Sequence, residues 1–282
     1  MMNRLRSRGS FATIQGKRDH QEDRVFSTSF SFPHEGGGLV EIYGVLDGHG
    51  GHHASELLRT LLPTKFKELI LRKPDLFMRR GVQGDVSAIK KMFLEVDLEL
   101  YRREVKSGST ASIVIITPLF IYMVNLGDSR IQIDSSEKLR YETLDHKPSQ
   151  EIERRRIIAA GGTVSSGRVD GILAVSRAFG DFDFKNLYSL HTHLHSKVGI
   201  EPLIVKIPRK IETVSYRILI ASDGVWDQFS AAIDLIPFQG PLGRRVPIEK
   251  APGLILSKSD LHDNTTAYVI DVPSITPPQA WS

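Results

Sequence analysis

The chain has 282 residues, 40% of them apolar and 25% charged, enough for one large core and with no composition break that marks a second domain. The 37 Lys and Arg against 33 Asp and Glu leave a net charge of +4, too small and too evenly spread to call for a nucleic acid partner. There is no cysteine, which excludes disulfides, thiolate metal sites and any cysteine nucleophile, a cysteine-type phosphatase included.

Residues 1–10 read as a short basic extension carrying Arg4, Arg6 and Arg8, with neither a secretory signal nor a membrane span, so a soluble protein of the cytoplasm or nucleus is expected. Short strands are expected over 11–14 and 24–30. Between them stands Arg18-Asp19-His20-Gln21-Glu22-Asp23, a polar turn that holds a guanidinium and two adjacent carboxylates. The apolar run from Leu39 to Leu46 reads as a strand buried on both faces, delivering Asp47 to the turn Asp47-Gly48-His49-Gly50-Gly51. Asp47 through its side chain and Gly48 through its carbonyl are hard oxygen donors suited to Mg²⁺ or Mn²⁺, while an isolated Asp-Gly is equally an ordinary tight turn.

Ala54, Leu57, Leu58, Leu61 and Leu62 recur at helical spacing, in a helix that Pro63 is expected to kink or end. A second helix over 86–105 carries Ile89, Met92, Phe93, Val96 and Leu100 on one face. The period then changes to that of an antiparallel meander, with strands at 110–117, 119–126 and 130–133, and Gly127-Asp128-Ser129 places a second carboxylate in a turn. Ser149 is expected to cap a basic helix that runs to Ala160 and stops at Gly161-Gly162.

A strand at 172–175 should lead into Ser176-Arg177-Ala178-Phe179-Gly180-Asp181. Residues 183–202 read as irregular; on a strand, His191, His193 and His195 would share a face and offer a zinc site, while in a loop they are simply exposed. The strand 217–221 ends in Asp223-Gly224-Val225-Trp226-Asp227, a repeat of the opening pattern, with Asp227 one helical turn from Asp223. Four prolines between 229 and 259 argue against a long helix there, and Asp263-Asn264 feeds a last strand to Val272.

Asp47, Asp128, Asp223 and Asp263, with Glu22 and Asp23, thus stand at the edges of β-runs in widely separated segments. Gathering them in one place is prohibitive unless cations neutralise them, which points to an all-oxygen site for two or more divalent ions. Two ions sharing a solvent molecule supply a hydroxide at neutral pH in line with a phosphorus.

The chain resembles the metal-dependent serine/threonine protein phosphatases of type 2C from about Phe11 to Asp271. The motifs in family order are Arg18 with Glu22-Asp23, Asp47-Gly48-His49-Gly50-Gly51, Gly108-Ser109-Thr110-Ala111, Gly127-Asp128-Ser129-Arg130 and Asp145-His146-Lys147-Pro148, then the stretch from Leu173 to Asp181, Asp223-Gly224-Val225-Trp226-Asp227 and Asp263-Asn264. The resemblance implies an α+β fold, a four-layer α-β-β-α sandwich of two antiparallel sheets flanked by helices, formed by residues 11–272 with a tail at 273–282.

It also implies hydrolysis of phosphoserine and phosphothreonine by hydroxide bridging two Mn²⁺ or Mg²⁺ ions, and a monomer acting on phosphoproteins without nucleic acid or membrane. Asp47 would bridge the ions, Glu22 and the Gly48 carbonyl would complete one, and Asp223 and Asp263 the other. Asp128 and Asp227 match the positions of a weaker third ion, with Asp23 behind the ligands. Arg18 matches the phosphate clamp and His49 the general acid. A catalytically silent relative acting as a binding module, and a histidine-rich binuclear phosphoesterase, are the alternatives.

Overall fold

A computed structural model of the chain describes residues 6–31, 38–80, 83–186, 195–237, 246–259 and 262–274. Ten strands form the frame: β1 (Arg8–Ile14), β2 (Arg24–Ser31), β3 (Leu39–Leu46), β4 (Ala111–Ile116), β5 (Phe120–Leu126), β6 (Arg130–Ser135), β7 (Arg140–Glu142), β8 (Leu203–Pro208), β9 (Tyr216–Ala221) and β10 (Thr265–Val272). They make two antiparallel five-stranded sheets, in the orders β1-β10-β9-β6-β7 and β8-β5-β4-β3-β2.

The alternation of side chains along each central strand explains why both sheets are stacked and covered. In β4, Val114 and Ile116 face the other sheet, where they meet Ile131, Ile218 and Ile270 in one buried cluster. Ile113 and Ile115 point the other way, into a core with α1 (His53–Arg72) and α2 (Asp85–Arg102), whose Leu58, Leu62, Phe66, Phe93 and Val96 are fully buried. On the far face of the first sheet, Leu219, Ala267 and Val269 pack on Trp226, Ile233 and the short helix Ala251–Leu256. The result is a sandwich of two large sheets between helices. Among the described residues no helix is long and apolar enough to cross a membrane.

Several local expectations are corrected. The first strand begins at Arg8, where Arg8 pairs with Asp271, so Arg8 to Ser10 belong to the sheet and not to a basic extension. Pro63 neither ends nor splits α1, which runs on to Arg72 because Phe66 and Ile70 extend its apolar face beyond the proline. The helix expected over 86–105 ends at Arg102, after which Glu104 turns into the left-handed region. Residues 172–175 form a turn with one bridge between Val169 and Leu173 instead of a strand. The basic helix spans Glu151–Ala159 behind Gln150, with no side-chain cap from Ser149, and ends at Gly161 with φ 77° as its glycines imply. His195 is exposed, while His191 and His193 lie outside the described residues.

Within the two large sheets, the edge strands β7 and β8 escaped the sequence reading. In the segment 229–259 the helix Ala251–Leu256 has six residues. That segment is held from beneath by Arg217, whose side chain is 0% exposed. All five guanidinium N–H groups are used: two on Asp271, the rest on the carbonyls of Ile236, Pro237 and Val246.

Candidate active site

Strand register puts every acidic turn on one rim of the sandwich. Arg24 pairs with Leu46, Ile14 with Thr265, Ala111 with Leu126, and Ala221 with both Ala267 and Arg130. The loops leaving these ends therefore converge, and they enclose a cleft of about 360 Å³ that Arg18, Glu22, Asp47, Gly48, His49, Asp128, Asp223 and Asp263 all line.

The loops are tied to one another by hydrogen bonds that fix where each carboxylate stands. Glu22 N donates to Asn264 Oδ1 at 2.7 Å, and Asn264 Nδ2 donates to the carbonyls of Gln15 and His20, so one amide stitches the first loop to the last strand. Gly48 lies against Glu22: a Cβ there would stand 2.6 Å from the Glu22 carbonyl oxygen and 2.7 Å from Ser55 Oγ, so only glycine permits this approach. Thr110 N donates to the Asp47 carbonyl at 2.9 Å while its hydroxyl meets Ser129 Oγ at 2.8 Å, coupling the Asp47 and Asp128 turns. His146 holds the second of these turns, accepting from Gly127 N at Nδ1 and donating its own backbone N–H to the Gly127 carbonyl.

The electrostatics record the crowding. Burial first, and then the charges of Asp223, Asp23 and Asp128, lift the Asp47 carboxyl well above the ordinary carboxylate range. Burial and Asp223 push Asp128 to about 8, and burial with Asp263 and Asp227 pushes Asp223 to about 6. The carboxyl groups of Asp47 and Asp223 lie within hydrogen-bonding reach of each other.

Asp23 sits behind the cleft, fully enclosed. Its Oδ2 accepts from Thr266 Oγ1 at 2.7 Å and Ser222 Oγ at 3.0 Å, and its buried Oδ1 has no partner among the described residues. Burial raises it to about 7.

Two of the expected ligands are engaged by cations of the protein itself. Arg18, 60% exposed, pairs with Asp263 at 2.6 Å, and Lys147 pairs with Asp227 at 2.7 Å. Asp227 is exposed and does not line the cleft. Among the described residues no three acidic or histidine side chains enclose an ion as they stand. The donor set nevertheless fits hard divalent cations. It is all oxygen, and it crowds carboxylates whose mutual repulsion divalent cations would relieve.

His49 lines the cleft and its Nε2 lies 2.7 Å from Asp181 Oδ2. Burial alone would lower its pKa, yet the Asp181 carboxylate, helped by Asp128 and Glu22, leaves it raised. Asp181, Lys147, Asn264 and Thr110 stood inside the motifs read from the sequence without a role. Arg168, on the ribbon of Val164–Ser165 with Arg168–Val169, also lines the cleft, and nothing in its local sequence marks it.

The family model described as Protein phosphatase 2C matches residues 7–236. A protein of Homo sapiens described as "Probable protein phosphatase 1N" is 34% identical over 278 residues, which is 95% of this chain and 61% of that protein. One of Oryza sativa subsp. japonica, "Probable protein phosphatase 2C 55", is 34% identical over 273 residues, 92% of this chain and 64% of its own length. The chain thus spans somewhat under two thirds of these relatives. A crystal structure of a phosphatase from Toxoplasma gondii aligns with a TM-score of 0.71 over 96% of this chain and 94% of that one, at 22% identity, and so shares the fold. A sandwich of this shape, an acidic rim built by its turns and a match running through most of both agree: the chain belongs to the protein phosphatase 2C family.

Proposed function

We propose that this protein hydrolyses phosphoserine and phosphothreonine in phosphoproteins, with divalent Mn²⁺ or Mg²⁺ ions held by the acidic rim. The observation that carries the reading is the convergence of Glu22, Asp47, Asp128, Asp223 and Asp263, from five separate segments, on a cleft they share with Arg18 and His49. Asp47, with Glu22 and the Gly48 carbonyl on one side and Asp223 and Asp263 on the other, would hold two ions, and Asp128 a weaker third. Ions held by these residues would lower the pKa of water and so would supply a nucleophile at neutral pH.

The chain's own residues do the rest. Arg18 presents an exposed guanidinium whose fork matches two phosphate oxygens better than an ammonium would, and this holds the phosphoryl group in the cleft. His49 gives a proton to the departing seryl or threonyl oxygen, a poor leaving group for which such help is worth about 10²–10⁴ in rate. Asp23 receives two hydroxyl hydrogen bonds and backs the ligand-bearing loops from beneath.

The test is phosphate release from a phosphoserine peptide with added Mn²⁺ or Mg²⁺, and its abolition by chelation. Release that needs the ion is expected. None at any ion concentration would overturn the reading in favour of a catalytically silent binding module.

A further inference from the structure

The two-residue strand Phe179–Gly180 pairs with Gly108–Ser109, which in turn pairs with Gly48–His49. This three-stranded ribbon carries Asp181 across the chain to His49, 132 residues away, and three features show the contact to be built.

The first is space. A Cβ on Gly108 would stand 2.2 Å from His49 Nε2 and 2.3 Å from Asp181 Oδ2, so the gap left by glycine is where the two side chains meet. The second is backbone. Asp181 adopts φ 53°, sparsely used by residues other than glycine, and follows Gly180 at φ 75°, where a Cβ would lie 2.2 Å from the Ser107 carbonyl oxygen. The third is support. Gly180 N donates to Asp97 Oδ1 at 2.8 Å, and Asp97 Oδ2 receives Lys185 Nζ at 2.8 Å, an ion pair whose members are 7% and 6% exposed. Lys185 Nζ also donates to the Ala178 carbonyl, which closes the clamp around the turn. Asp181 itself is 8% exposed.

We propose that Asp181 is a positioning residue for His49, an inference that rests on the acid role given to His49 above. The carboxylate holds Nε2, and Nδ1, which has no partner among the described residues, is then the nitrogen offered to the departing oxygen. The buried Asp97–Lys185 pair keeps the carboxylate in place.

The test compares Asp181→Gly, Asp181→Asn, His49→Gln and the double variant His49→Gln/Asp181→Gly with Mn²⁺ present. Glycine and asparagine both suit the left-handed backbone, so neither change adds strain. Asp181→Gly should lower kcat on a phosphoserine peptide about tenfold or more, yet by no more than about threefold on an aryl phosphate whose leaving group needs little protonation, with KM unchanged for both. Asp181→Asn should keep most of the rate, because its amide oxygen still accepts from Nε2–H. The double variant should be no slower than His49→Gln, and Mn²⁺ binding measured by calorimetry should be the same for Asp181→Gly as for the unaltered protein.

Additive losses in the double variant, or weakened Mn²⁺ binding, would overturn the proposal, as would equal losses of Asp181→Gly on both substrates while His49→Gln discriminates between them. If His49→Gln itself fails to discriminate, the acid role falls, and the positioning role is decided by the double variant alone: parity with His49→Gln upholds it and a further loss sinks it.

Discussion

Asp23, Asp128 and Asp223 all raise the pKa of Asp47, which lines the cleft at the end of the strand running from Leu39. A carboxylate in that position can be shared between two cations, and its amide analogue cannot replace the charge. Asp47→Asn is therefore expected to lower kcat by about 10³-fold or more, measured on a phosphoserine peptide at saturating Mn²⁺. Survival of activity within a few-fold would show that it bridges nothing. As the proposed phosphate clamp, Arg18 would make the opposite kind of contribution, since its exposed guanidinium would bind phosphate in substrate and transition state alike. Arg18→Ala should raise KM about tenfold and alter kcat far less, as steady-state kinetics would show, and an unchanged KM would exclude the clamp.

At the level of the element, Arg217 explains how a segment with too many prolines for a long helix is kept in place. It stands in β9, pairs with Asp271 of β10 and caps three carbonyls of the irregular chain above it. Arg217→Met would remove the guanidinium that Asp271 and those carbonyls share and should destabilise the fold by about 3–5 kcal/mol, measured by urea unfolding at constant Mn²⁺. A loss within about 0.5 kcal/mol would mean that the segment is held by its apolar contacts alone.

The sequence announces some elements and hides others for identifiable reasons. The run from Leu39 to Leu46 and the strands 111–126 are legible because both faces are buried and glycine or aspartate marks their ends. The same logic misled at 172–175, an apolar stretch that forms a turn: Leu173 and Val175 pack into a small cluster with Ile157 and Val198, while Ile172 is exposed. Edge strand β7 has only three residues, with Arg140 and Glu142 exposed, and so lacks the signature, whereas the apolar β8 carries one and is overlooked beside the irregular stretch before it. Of the site, the acids were legible because each stands at a strand end, Asp47, Asp128 and Asp223 just after one and Glu22 and Asp263 just before one. The His49–Asp181 contact was not, because it depends on a glycine gap at residue 108 that only the folded chain reveals.

For the whole molecule, the acidic rim couples stability to pH and to cations. Folding raises Asp128 to about 8, Asp23 to about 7 and Asp223 to about 6, against about 3.9 in the unfolded chain. A carboxyl group that binds its proton more tightly when folded contributes stability that is full below about pH 4 and declines as pH rises through the folded values. The metal-free protein should therefore melt at a lower temperature at pH 8 than at pH 5, and Mn²⁺ should raise the melting temperature more at pH 8. Calorimetric scans in chelator and in Mn²⁺ at both values provide the comparison, and an equal gain at the two pH values would contradict this linkage.

The antiparallel register that gathers the acids on one rim has a converse at the other. There the chain reverses through Thr117–Leu119 and through the exposed Glu137-Lys138 hairpin tip, which bonds to Lys210 and to no group of the cleft. The exposed tip at Glu137-Lys138, remote from the cleft, is therefore the place where an insertion, fusion or tag should leave the acidic rim undisturbed.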